Sequence, residues 1–209
     1  GLVGSEMCIR DSVITANKAL IAKHGDNLSL LAEKNKVNLE FEAAVGGGIP
    51  ILRTIKDGLS TNKINKVVGI LNGTCNFILS EMEKNNLNFN QALKIATEKG
   101  YAEANPTNDI EGIDAAYKLA ILAALAFRTK IDYGDVYREG ITRLEDRDFR
   151  YAEELGYIIK LLAIARQGRG GLQLRVHPAF ISKDHLLAKV DGVFNAVEIQ
   201  GDLVGATLV

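Results

Sequence analysis

The sequence predicts an α+β fold: a mostly antiparallel mixed β-sheet with helices packed on one face. Two observations carry this. Helical patterns dominate the earlier part of the chain, and a run of strand-like segments closes it. A third observation concerns chemistry: no Gly-x-Gly-x-x-Gly follows a strand, so the dinucleotide fingerprint is missing. The Gly46-Gly47-Gly48 run has the wrong spacing for it.

Residues 17–24 read as a short helix and 26–36 as another, the second capped by Asp26 or Asn27. Residues 37–45 alternate like a strand and end at the three glycines. Pro50 suits the first turn of a helix over 49–59. Residues 64–72 read as a strand, and 73–85 as a helix with Phe77, Ile78 and Met82 at helical spacing. Asn88 and Gln91 make a capping box for a helix over 88–100, which Gly100 stops. Residues 113–127 make a helix of about four turns. A strand is expected over 136–144, then a helix over 146–156 stopped by Gly156. Strands over 157–167 and 172–182 flank the hairpin turn Gly168–Gly171. A small helix over 183–189 precedes a last strand, 194–209.

The 209 residues suffice for one large domain or one and a half small ones, with no internal repeat or long linker. The composition is 47% hydrophobic and 24% charged, with a net charge of −1. That balance argues against a nucleic-acid partner, which would call for a basic excess. No apolar run approaches the roughly 18 residues that span a bilayer, and no signal-peptide pattern opens the chain, so no membrane partner is expected. Cys8 and Cys75 make neither a disulfide framework nor a zinc site, which fits a reduced, cytoplasmic protein. Residues 1–12 have no periodicity and resemble translated adapter sequence, so they are expected to be a non-native leader. The chain stops in mid-strand, and residues 13–209 are expected to be a truncated domain.

Chemistry concentrates in GYAEANPTNDIEGIDAAYK, Gly100 to Lys118, which runs into an uncharged helix. Between Ile113 and Phe127 only Asp114, Tyr117 and Lys118 are polar, so the helix is expected to be buried. Asp114 and Lys118 lie one helical turn apart and can pair. On spacing alone this is either an exposed ion pair or a desolvated pair in a cleft, where the lysine is a plausible proton donor. Glu103 and Asp109 add carboxylates in a segment bent by Asn105-Pro106, suited to a substrate ammonium or simply to a wet loop. Glu111 reads as capping. Lys18 sits at a strand-to-helix junction, a place where a lysine is ordinarily on the surface. The glycines at 46–48 permit turned-in carbonyls for a hard cation, or merely a tight turn. Gly73 and Thr74 open a helix whose amides could grip a carboxylate, or merely form an ordinary capped turn. His24, His177 and His185 share no spacing and read as neither ligand nor base.

These stretches resemble the signature region of homoserine dehydrogenases at Ala96, Gly100, Pro106, Asp109, Gly112, Asp114 and Lys118. The resemblance extends through VITANKALIA, FEAAVGGGIPI, GILNGTCNFIL and FNAVEIQGDLVG, covering essentially residues 13–209. Asn105 departs from the family's usual Asp. The resemblance implies NAD(P)H-dependent interconversion of L-aspartate 4-semialdehyde and L-homoserine, in threonine, isoleucine and methionine biosynthesis. It implies Lys118 as proton donor held by Asp114, and Lys18 as a lysine touching substrate and cofactor. Glu103, Asp109, Gly73 and Thr74 match substrate-binding positions, and Gly100 a cofactor-binding one. Glu42, Val45, Gly47 and Ile49 match a sodium site of main-chain carbonyls. The implied cofactors are NADP or NAD with a monovalent cation, and the implied assembly is a homodimer or homotetramer. Family members begin with a nucleotide-binding domain largely absent from this sequence, so the chain alone is expected to be nearly inactive. The alternatives are a related NAD(P)-dependent amino-acid aldehyde reductase and a non-catalytic dimerising remnant.

Overall fold

A computed structural model describes residues 12–209. The leader expected over residues 1–12 lies, apart from Ser12, outside the described residues, as does Cys8. Val13–Ile14 (β1) leads into Lys18–Asn35 (α1), where the Asn17 side chain caps the Leu20 N–H. The two helices expected here are one helix of 18 residues running through Gly25. An internal glycine costs only about 1 kcal/mol, and the hydrogen bonds on either side outweigh it. The strand expected over 37–45 shrinks to Leu39–Glu40 (β2), which pairs in parallel with β1. Its partner offers only two residues, and Glu42 is engaged elsewhere. The Glu42 carboxylate accepts the Leu52 and Arg53 amides, capping Ile51–Arg53 (α2), where an anion suits the helix dipole. α2 then widens into a π-turn over Thr54–Gly58, and Pro50 stands just before its first residue.

Ile64–Ile70 (β3) hands over to Gly73–Asn85 (α3), in which Phe77, Ile78 and Met82 are buried as their spacing predicts. Phe89–Glu98 (α4) has the predicted Asn88–Gln91 capping box. Gly100 turns left-handed at φ 77° and Tyr101 N–H returns to the Ala96 carbonyl, closing the helix. Asn105 accepts the Thr107 amide and hydroxyl at the start of the short helix Thr107–Ile110 (α5). Ile113–Phe127 (α6) is buried along most of its length, as its apolar run predicts. The strand expected over 136–144 shrinks to Tyr137–Arg138 (β4). The chain leaves the sheet there because Ile141 N–H bonds the Ile110 carbonyl and Gly140 packs against the Ile110–Glu111 backbone, buttressing the α5–α6 junction.

Asp146–Glu154 (α7) precedes the predicted hairpin, Tyr157–Gly168 (β5) and Gly171–Ser182 (β6). The helix expected over 183–189 is one 3-10 turn, Leu186–Lys189. The last expected strand is instead a hairpin, Ala196–Gly201 (β7) and Gly205–Leu208 (β8), whose reversal uses the left-handed φ of 72° at Gly205. The six-stranded sheet runs β4-β6-β5-β3-β7-β8 and is antiparallel except between β4 and β6. On one face Val67, Ala163, Ala165, Val197 and Ile199 join the main core with α3, α6 and α7. On the other, Val68, Ile70 and Leu162 lie under Leu187 and Ala188. The fold class read from the sequence is therefore the observed one. No described helix is long and apolar enough to cross a membrane.

Candidate active site

The site forms where β3 ends and α3 begins. A helix start leaves amides without intrahelical acceptors. Asn72 supplies one, its Oδ1 accepting the Cys75 N–H at 2.8 Å. The same side chain then donates through Nδ2 to Asp109 Oδ1 at 2.7 Å and Asp114 Oδ2 at 3.0 Å. One buried amide thus ties α5 to the first turn of α6.

Asp114 is only 6% exposed, and a buried carboxylate needs partners. It has three: Lys118 Nζ at 2.7 Å, Lys18 Nζ at 2.9 Å and the Asn72 amide. Burial pushes its pKa up, but the charge and hydrogen bond of Lys118, with the hydrogen bonds of Lys18 and Asn72, outweigh it and hold the group below its ordinary 3.8. The pair one turn apart on α6 is therefore desolvated, which resolves the choice that spacing alone left open. Lys118 Nζ also donates to the Leu71 carbonyl at 2.7 Å. An ammonium has three N–H donors, so one remains for a third acceptor.

Asp109 behaves oppositely. Its pKa is raised above 3.8, first by burial, and then by the nearby charges of Asp114 and Glu103, against the Asn72 hydrogen bond and the Lys118 charge. Cys75 is buried, and burial together with the charges of Asp109, Asp114 and Glu111 raises its thiol pKa well above the usual value. A thiol held so firmly neutral is no nucleophile.

A cavity of about 290 Å³ opens here, with Asp109, Asp114, Lys118, Gly73 and Thr74 in its wall. The Thr74 hydroxyl is oriented by donating to the Tyr101 carbonyl at 2.7 Å. Lys18 joins the group through Asp114 from the start of α1. Glu103 is exposed and outside the cavity wall, reaching the site through its charge on Asp109. Gly100 also lies outside the wall, in open space where a Cβ would meet nothing within 4 Å. The turn holding Glu42, Val45, Gly47 and Ile49 is separate from the cavity, with left-handed φ of 73° at Gly46 and 59° at Gly47. Among the described residues no three His, Cys, Asp or Glu side chains cluster to hold a metal. A larger groove of about 960 Å³ between α1 and α6 is lined by none of the predicted site residues.

Sequence reading missed three wall residues: Asn72 beyond its place at the helix start, Tyr101, and Val193. Asn72 carries a local signal as a helix cap. Its double donation to two carboxylates depends on folding, and Val193 arrives from a distant loop with no local signal at all.

A family model described as Homoserine dehydrogenase matches residues 50–209. A homoserine dehydrogenase of Neisseria gonorrhoeae is 53% identical over 196 residues, which is 94% of this chain and 45% of that protein. One from Bacillus subtilis is 45% identical, again over 94% of this chain and 45% of that protein. The crystal structure of a homoserine dehydrogenase from Thiobacillus denitrificans superposes with a TM-score of 0.93 at 53% identity, covering 94% of this chain and 46% of that one. A hyperthermophilic archaeal homoserine dehydrogenase in complex with NADPH superposes with a TM-score of 0.81 at 30% identity, covering 94% of this chain and 56% of that one. The chain spans about half the length of the curated relatives it matches.

Proposed function

The chain belongs to the homoserine dehydrogenase family, and on that premise we propose that its 290 Å³ cavity is where L-aspartate 4-semialdehyde and L-homoserine are interconverted with NADPH or NADH. The observation that carries this reading is the Lys118 ammonium, fixed by Asp114 and the Leu71 carbonyl with one N–H left over. The cavity suits a small amino acid rather than a large ligand. Three carboxylates, Asp109, Asp114 and Glu103, against Lys18 and Lys118 leave a net negative charge that favours a substrate ammonium.

In the proposed reaction the substrate ammonium pairs with Asp109, with Glu103 adding its charge from the rim. The aldehyde oxygen takes the free N–H of Lys118. The nicotinamide, when bound, supplies the hydride. Lys118 gives its proton to the oxygen as negative charge develops there, and takes it back in the oxidative direction. General acid help of this kind is typically worth about 10²–10⁴-fold. Asp114 keeps Nζ in place, and the buried α6 behind it limits its motion. Lys18, bonded to Asp114 and 41% exposed, would be the lysine that meets substrate and cofactor. The open left-handed turn at Gly100 would let a cofactor approach the backbone closely.

For a monovalent cation, the carbonyls of Glu42, Val45, Gly47 and Ile49 would be the ligands. The two left-handed glycines permit the tight turn such a set requires. The Glu42 and Ile49 carbonyls already accept the Val45 and Ile51 amides, and each keeps a second lone pair.

The test compares aspartate 4-semialdehyde with succinate semialdehyde, which lacks the amino group, as substrates for NADPH oxidation by the complete enzyme. The reading expects kcat/KM for the amino substrate to be higher by on the order of 10² or more, as for sites built around a polar substrate group. Comparable values would overturn it in favour of a general aldehyde reductase.

A further inference from the structure

Lys160 is a charged residue that the proposed reaction does not use. It sits in β5 at 0% exposure. β5 pairs with β3 only as far as Ala163, so Lys160 lies past the end of that ladder, beside the passage from β3 to α3. All three of its donors are taken: Asp191 Oδ1 at 3.0 Å, the Val190 carbonyl at 2.7 Å and Asn76 Oδ1 at 3.2 Å.

These partners belong to one arrangement. Asn76, in α3, donates to the carbonyls of Val190 and Phe194. Ser80, one turn further on, accepts the Gly192 amide. Lys84 takes the other oxygen of Asp191 at 2.7 Å. Burial raises the Asp191 pKa, but its bonds and charges with Lys84 and Lys160 outweigh that and hold the carboxylate ionised. The loop Val190–Phe194, which has no regular structure of its own, is thus pinned to α3 and β5 by side chains.

That loop forms part of the cavity. Val193 is in its wall, and the Val193 carbonyl lies so close to Gly73 that a Cβ there would come within 2.5 Å of it. A buried lysine is costly unless its charge is paired and its donors are satisfied, as all three are here. These bonds hold the segment whose Val193 forms the cavity wall against Gly73.

We propose that Lys160 is a positioning residue: through Asp191 and Asn76 it fixes the Val190–Phe194 loop so that Val193 forms the substrate-site wall against Gly73. This rests on the cavity being the homoserine site. Loss of the clamp would loosen the loop and weaken substrate binding, leaving Lys118 and Asp114 in their own bonds.

The test uses the complete enzyme that carries this chain with two variants, Lys160→Met and the more exposed Asp191→Asn, so that misfolding of the first does not decide the outcome. Amide hydrogen exchange reads the loop, and L-homoserine titration followed by NMR reads the site. Exchange at residues 190–195 should rise at least tenfold, and homoserine affinity should fall at least fivefold, with exchange in the middle of α6 unchanged. Unchanged loop exchange in Asp191→Asn would overturn the clamp. A loosened loop with homoserine affinity within twofold of wild type would overturn its link to the site. If the complete wild-type enzyme binds no homoserine, the substrate reading itself fails, while the exchange arm still decides whether Lys160 holds the loop.

Discussion

At the scale of single residues, the account turns on two aspartates whose environments pull their pKa values apart. Asp109 is raised, first by burial and then by neighbouring charge. In the proposed reaction its anion is the form that pairs with the substrate ammonium. Homoserine affinity should therefore weaken on acidification starting above pH 3.8, earlier than for an ordinary aspartate, and Asp109→Asn should flatten that profile, as titration across pH would show. Asp114 is lowered instead. Its stabilising effect is complete above the ordinary value of 3.8 and is lost as pH falls through the lower folded value. Asp114→Asn should lower Tm at neutral pH, and its deficit relative to wild type should shrink below pH 3.8, measured by calorimetry. Of this site, the Asp114–Lys118 pair was legible because a helix places residues four apart on one face. Family resemblance carried Lys18 only as a lysine touching substrate and cofactor; that it completes the Asp114 carboxylate was not legible, since nothing local links the start of α1 to α6. The role of Asn72 was hidden for a related reason: its sequence neighbours explain a cap, and only the folded chain brings it two carboxylates.

At the scale of elements, sequence reading succeeded where local physics is enough and failed where tertiary partners decide. The capping box at Asn88, the glycine stops at Gly100 and Gly156, and the buried run of α6 were all legible. The strands expected over 37–45 and 136–144 were not, because alternation signals a strand only where a neighbour is present to pair. In both places the chain is diverted: Glu42 caps α2, and Gly140 lets the backbone pack beneath the α5–α6 junction. The closing hairpin was read as one strand because the reversal at Gly201–Gly205 is short and itself contains the apolar Leu203 and Val204. The junction of β3 and α3 tolerates little added volume. Gly73→Ala would set its Cβ 2.5 Å from the Val193 carbonyl. Such overpacking typically costs about 1–3 kcal/mol, a fall in Tm of roughly 3–10 °C for a domain of this size, readable by thermal denaturation.

At the scale of the whole molecule, the sheet and its helices serve to bring separate stretches of chain to the end of β3. Lys18 comes from α1, Asn72 to Thr74 from the start of α3, Asp109 from α5, and Asp114 and Lys118 from α6. Helices on a single face make this possible, because α3 and α6 both pack on β5 and both meet α5. The class of fold was readable from the order of helical and strand-like segments, while the strand order and the convergence of the loops were set by long-range pairing. The central claim is that this convergence exists to hold one proton donor. The most direct measurement is kcat for NADPH oxidation with aspartate 4-semialdehyde in the homoserine dehydrogenase that carries this chain, comparing wild type with Lys118→Ala and checking that the variant remains folded. The account predicts a loss of about 10²–10⁴-fold in kcat. A folded Lys118→Ala variant with unchanged kcat would contradict it.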